Sequence, residues 1–139
     1  MDAADYLEIQ ALVHRYADLL DQGDADGAGA LFEHAVFFLD EQSEPLSRFG
    51  ENRMPQVFRE WFRFFPERAG RPNTRHVTAN LIIEQDGPGK VKAQSCVMVF
   101  QPDDASVRAL MSATYHDRFE KTGGRWRFSE RRLLAYGLN

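Results

Sequence analysis

Few residues in this sequence are placed to move a proton: four histidines and the acids near the end of its first amphipathic segment. Asp21 closes RYADLLDQGD, beside the apolar stripe of that segment. The helix macrodipole disfavours an anion at a C-terminal end, so an Asp there gains from a partner that donates to it. His76 opens TRHVTANLIIE. An imidazole, with an ordinary pKa of about 6.5, accepts a proton near neutral pH, and an adjacent carboxylate fixes its tautomer and stabilises the imidazolium that forms. Tyr16 lies on the apolar stripe, where its hydroxyl either satisfies a core neighbour or donates into a cavity. Each has a structural explanation as well: a solvated or core-satisfied His, a surface acid, a core phenol.

The other polar residues read as structural. His14 and Asp18 are spaced i, i+4 but lie off the apolar stripe with no third ligand, so they read as a surface pair. His34 and His116 read as solvent-exposed, and Cys96 as a buried small hydrophobe. There is no Gly-rich phosphate loop, GxSxG, HExxH or EF-hand pattern, and no CxxC or Cys/His pair for zinc. The expectation is chemistry without a metal or cofactor.

These residues need elements to position them. Ile9, Leu12, Val13, Tyr16 and Leu20 follow one helix face, and Gly23 supplies a stop, which predicts a helix over about 4–22. Asp24 caps a short second helix, followed by an extended stretch, AVFFLD. Residues 41–52 read as a loop with a short strand around 46–49. A third helix over about 53–65 carries Val57, Phe58, Trp61, Phe62 and Phe65 on one stripe and ends at Pro66. From Thr74 the period becomes two, and turn signals at DGPG, PDD and GG divide the remainder into strands over about 74–85, 90–101, 106–121 and 125–135. Strict alternation places His76, Thr78, Asn80 and Ile82 on one face and Val77, Ala79, Leu81 and Ile83 on the other. Hairpin-length connections make the strands antiparallel neighbours. The class is α+β: three N-terminal helices on one face of a strongly curved antiparallel sheet, with a cone-shaped space between them.

At 139 residues the length predicts one domain over 1–139. A net charge of −4 with scattered basic residues argues against a nucleic-acid partner. A single cysteine fits a reducing compartment. The acidic first residues and the lack of a long apolar run predict a soluble, cytoplasmic protein with no membrane partner. Eleven Phe, several between Phe58 and Phe65, suit a large apolar cavity for a small hydrophobic ligand.

The element order, together with LDxGD after the first helix, TRH opening the first long strand and YxDxFExxxGxWRF at the last hairpin, resembles a known superfamily. It is similar to the nuclear transport factor 2-like cone fold, in its SnoaL-like branch with scytalone dehydratase, bile acid dehydratase and hexachlorocyclohexane dehydrochlorinase. That resemblance implies a catalytic Asp at the end of the first helix and His at the start of the first long strand, matching Asp21 and His76. Tyr16 matches a tyrosine used by the bile acid enzyme. Leu20 and Ser112 stand where scytalone dehydratase has Tyr and a second His, so the substrate is not inherited.

The reading that follows is a cofactor-independent lyase or isomerase of the dehydratase type. His76 is the base, Asp21 orients it and Tyr16 polarises a carbonyl. Phe58, Trp61 and Phe62 are expected as cavity wall, and Asn80 and Ser112 as polar contacts to substrate. A polyketide cyclase and a non-catalytic binding or accessory protein are the alternatives, because this fold hosts many functions. A homodimer or homotrimer is expected, covering an apolar outer sheet face of Val77, Leu81 and Ile83.

Overall fold

The computed structural model describes residues 1–137. Helix α1 (Ala3–Asp21) begins in a capping box: Asp5 N–H donates to Asp2 Oδ1 and Asp2 N–H to Asp5 Oδ2, both at 3.0 Å. Its stripe of Ile9, Val13, Tyr16 and Leu20 is buried, as the helical spacing requires. Asp24 caps α2 (Ala25–Ala30), accepting from Gly27 N–H at 2.8 Å. Strand β1 (Val36–Leu39), α3 (Met54–Trp61), a 3-10 turn at Pro66–Arg68, and strands β2 (Arg75–Gln85), β3 (Lys90–Pro102), β4 (Val107–Thr122) and β5 (Arg125–Gly137) follow.

The five strands form one sheet in the order β1-β5-β4-β3-β2. Neighbours are antiparallel except that β1 runs parallel to β5. The sheet is therefore mixed rather than wholly antiparallel, and it is open, with β1 and β2 at its edges. A parallel pair needs a long crossover, which here is all the chain between residues 40 and 124. Register shifts in β2, β4 and β5 each break the ladder, and bulges of this kind add bend and twist to a curved sheet.

Two departures from simple periodicity reshape the site. Helix α3 stops at Trp61, and Phe62 is extended (φ −116, ψ 139) rather than helical to residue 65. Pro66 disfavours the helical region for Phe65, which is extended and bridges to Arg71. In β2 the alternation fails at Asn80, whose φ of 55 is one that Asn tolerates better than most residues. Ala79 pairs with Cys96 and Ile82 with Gln94, so Asn80 and Leu81 together oppose Ser95. The bulge turns Leu81 and Ile83 toward the core and leaves Ile82 exposed. The outer face instead carries the row Val77, Met98, Ser112 and Tyr136 across four strands. The short strand expected around 46–49 is a single bridge between Phe37 and Ser47.

On the inner face, the cross-strand rows thin out along the sheet. Val91, Phe119 and Phe128 fill the end near the start of α1, and Asp117 pairs with Arg131 in the next inward row. Then come Tyr115 with Leu133, Ala113 with Ala135, and finally His76, Val99 and Met111. Small side chains beyond Tyr115 leave space unfilled under α3.

Both ends of α1 are tied to the sheet. At its start, Asp5 Oδ1 accepts from Trp126 Nε1 at 2.8 Å and from Lys121 Nζ at 3.0 Å, while Glu8 accepts from Trp126 N–H at 2.8 Å. The Trp126 indole, the Asp2 backbone and Lys121 hold the Asp5 carboxyl well below the usual carboxylate range. A group depressed on folding stabilises the fold above its unfolded pKa, about 3.9 for Asp, and that contribution disappears as pH falls through the folded value. Asp5→Asn is therefore expected to lower the urea midpoint at pH 7, with the difference from wild type shrinking below about pH 4. An equal difference at both pH values contradicts this linkage.

Candidate active site

Asp21 and His76, 55 residues apart in the chain, meet where the end of α1 lies against the start of β2. His76 Nδ1 is 2.6 Å from Asp21 Oδ1, the His76 backbone N–H donates to Asp21 Oδ2 at 2.8 Å, and Thr74 Oγ1 donates to Oδ1 at 3.1 Å. Three donors thus compensate a carboxylate that the helix terminus disfavours. An ionised carboxylate only accepts, so Nδ1 carries the hydrogen, and in the neutral imidazole Nε2 is then the nitrogen with the lone pair. The His76 side chain is 3% exposed and that of Asp21 16%, so water competes little for this bond.

His76 also lines an apolar cavity of about 310 Å³. Phe62 and Tyr16 stand against the ring at 5.7 Å and 6.4 Å between centroids, with Trp61, Val99, Met111 and Leu133 completing much of the wall. Tyr16, Tyr115 and Asp40 are the polar side chains that line it together with His76. Burial pushes the Tyr16 phenol up, opposed by the Arg131 charge, and burial and the neighbouring Tyr16 push Tyr115 well above its ordinary value. Both phenols are therefore protonated donors at neutral pH.

Arg131 supports this floor from beneath. Its side chain is fully buried and makes a bidentate pair with Asp117, Nε to Oδ1 at 2.7 Å and Nη2 to Oδ2 at 2.9 Å. Burial opposes the charge, but the Asp117 carboxylate outweighs it and holds the guanidinium above its usual value. Its Cζ lies 3.8 Å from the Tyr115 ring centroid and 4.5 Å from that of Tyr16, in cation–π range. The unpartnered Nη1 belongs to this aromatic-faced guanidinium.

Of the residues expected from sequence, the cavity brings together His76, Tyr16, Trp61 and Phe62, with Asp21 directly behind His76. Phe58 is fully buried one layer back, in edge contact with Tyr16 and Trp61, and is a core residue rather than cavity wall. Asn80 is not brought there, because the bulge places it on the outside with Nδ2 near Cys96 Sγ at 3.5 Å. Ser112 is excluded by parity: its neighbours Met111 and Ala113 face inward. Sequence reasoning passed over Asp40, Tyr115 and Arg131. Asp40 has φ 52 and accepts from Ala135 N–H at 2.9 Å, yet in the sequence it is only the polar end of AVFFLD. Tyr115 and Asp117 do carry a signal, alternation in YHDRF, which puts both on one face. Among the described residues no three His, Cys, Asp or Glu side chains group to hold a metal ion, and no helix is long and apolar enough to cross a membrane.

Comparison with known proteins places this chain in a family. A model of the SnoaL-like domain matches residues 1–132. The chain belongs to the SnoaL-like family. Among solved structures, this SnoaL-like protein is similar to a function-unknown protein from Mycobacterium tuberculosis, with 27% identity, a TM-score of 0.73, and coverage of 97% of this chain and 73% of that one. It also resembles Aln2 from a Streptomyces species, with 19% identity, TM-score 0.77, and 96% and 92% covered. A third is a Novosphingobium aromaticivorans protein provisionally designated a scytalone dehydratase, with 18% identity, TM-score 0.70, and 98% and 89% covered. Neighbours at such low identity show the shared fold. A search of curated protein sequences gives no match.

Removing one partner of a buried ion pair strands the other charge at a cost of about 3–5 kcal/mol. Asp117→Asn is expected to lose stability of that order in urea denaturation. The double replacement Asp117→Leu with Arg131→Met should lose less than Asp117→Leu alone. A single variant as stable as wild type contradicts the role assigned to the pair.

Proposed function

We propose that this protein is a cofactor-independent lyase or isomerase that removes the α-proton of a hydrophobic, ring-containing carbonyl compound, with dehydration of a β-hydroxy carbonyl as the favoured reaction. One observation carries the reading: the 2.6 Å contact from His76 Nδ1 to Asp21 Oδ1, with the rest of the ring against an apolar cavity. In this mechanism Nε2 takes the proton, and the C–H electron pair becomes the π bond of an enolate. Negative charge builds on the carbonyl oxygen, where Tyr16 donates a hydrogen bond, its own oxygen accepting from Tyr115. Asp21 stabilises the imidazolium. The enolate then collapses, the β C–O bond breaks, and the hydroxyl leaves as water with the proton His76 had taken. The enone and the neutral imidazole remain. Where the β-position has no leaving group, return of the proton to the γ-carbon of an enolised enone shifts the double bond instead. The provisional dehydratase designation of one fold neighbour agrees with the first route.

Turnover assays with cyclic β-hydroxy ketones test this. His76→Ala and Asp21→Asn are expected to lower kcat by at least about 100-fold with unchanged far-UV circular dichroism, and Tyr16→Phe to lower it by about 10²–10³. A His76→Ala enzyme with full activity overturns the proposal.

We also propose that the protein self-associates as a homodimer or homotrimer through the outer sheet face. Val77 and Tyr136 are 47% and 53% exposed there, and they flank Met98 and Ser112 in an uncharged row. Light scattering at micromolar concentration should give two or three times the 16.0 kDa chain mass, reduced by Val77→Glu. A monomeric wild type contradicts this.

A further inference from the structure

We infer that the ligand of this site carries an anionic group, a carboxylate or phosphate, tethered to its apolar part, and that Arg68, Arg71 and Arg75 hold that anion in a groove outside the cavity. The inference rests on the apolar part occupying the cavity beside His76, as proposed above. Three hollows adjoin one another there. Trp61, Phe62, Val99 and Met111 line both the cavity and a second hollow of about 330 Å³, which Asn73 and Thr74 also line. Asn73 and Thr74 also border a polar groove of about 530 Å³ that reaches the opposite side of the Asp21–His76 pair. A tether leaving the cavity by this route arrives at the groove.

The charge of that groove is unusual for a chain with a net charge of −4. Arg68, Arg71 and Arg75 line it, all exposed, and none is within ion-pair distance of a carboxylate among the described residues. Two carboxylates also border the groove, Asp18 and Asp21. Asp21 is engaged by its three donors, and Asp18 accepts from Gln22 Nε2 at 2.6 Å. Three guanidinium groups against two carboxylates still leave the groove net cationic, and neither carboxylate is paired with the arginines.

The backbone that carries Arg68 and Arg71 is also held in place. Phe65 N–H donates to Arg71 O at 3.1 Å and Gly70 N–H to Phe65 O at 2.9 Å, closing residues 65–71 into a loop. Gly23, at φ 84 in the turn after α1, lets the Gly70 carbonyl approach so closely that a Cβ there would collide with it. The loop is thereby seated on the end of the same helix that carries Asp21. Guanidinium forks match carboxylate and phosphate oxygens, and remote binding of a non-reacting part of a substrate is a recognised way to position the reacting part.

The test uses three dansyl probes with the same chain: 11-(dansylamino)undecanoate, 11-(dansylamino)undecyl phosphate and 11-(dansylamino)undecanol, titrated by fluorescence into the full-length protein. The anionic probes are expected to bind about tenfold tighter than the alcohol, one charged pairing being a difference of about 1.4 kcal/mol. Arg71→Gln with Arg75→Gln, and 0.5 M NaCl, should each abolish that preference and leave the alcohol's Kd unchanged. A preference for phosphate over carboxylate assigns the anion to a phosphate, and equal affinities show that a carboxylate suffices. An alcohol that binds as tightly as the anions overturns the groove alone. Failure of all three probes to bind overturns the cavity reading and the groove together. The dyad is judged separately, by turnover in His76→Ala.

Discussion

A charged arginine at the centre of the fold constrains everything around it. Arg131 has no exposed surface, and an unpaired buried cation is among the costliest features a small protein can carry. It is tolerated because Asp117 lies directly across the β4–β5 ladder and meets it with two hydrogen bonds. Aromatic rings face the remaining surface of the guanidinium, with Tyr115, Tyr16, Phe128 and Phe32 all within 5.4 Å of Cζ. This arrangement fixes two phenols from different elements, one on α1 and one on β4, as a single floor. The cavity begins where the paired charges and the large rings end.

Helix α1 transmits this order to the reacting end. Its first turn is clamped to the β4–β5 hairpin by Asp5 and Glu8, its middle supplies Tyr16, and its last residue supplies Asp21 to β2. One rigid element therefore spaces the phenol floor from the imidazole. The cost of an anion at the helix terminus is met by donors from the segment 74–76, so docking of α1 on β2 and assembly of the dyad are the same event. In the proposed reaction, such preorganisation lets hydrogen bonds act on developing charge without rearrangement.

Local patterning made the helices, the four long strands and their order readable, because apolar period and turn residues report on local geometry. Asp21 and His76 were readable as a pair through the motifs at a helix end and a strand start. What escaped were features decided by tertiary contact. The bulge at Asn80 follows from one residue's left-handed backbone, which alternation does not anticipate, and it moved Leu81 and Ile83 to the other face. Phe62 left the predicted helix to stand against His76. Asp40 reaches the cavity through the parallel pairing of β1 with β5, which no local pattern announces, while alternation in YHDRF puts Tyr115 and Asp117 on one face without saying that this face is the buried one. Phe58 shows the converse: the aromatic stripe was correctly read as apolar, but the layer each ring occupies depends on the packing of α3 against α1 and β1.

The central claim is that His76 is a base whose Nε2 faces the bound carbonyl compound. Its most direct test is exchange of the α-protons of a cyclic ketone in D₂O, followed by proton NMR with the wild-type protein and with His76→Ala. The account predicts deuterium incorporation at the α-carbon with wild type and only the buffer rate with the variant. Exchange that proceeds equally without the imidazole, or no exchange by wild type for ketones shown to bind, would contradict it.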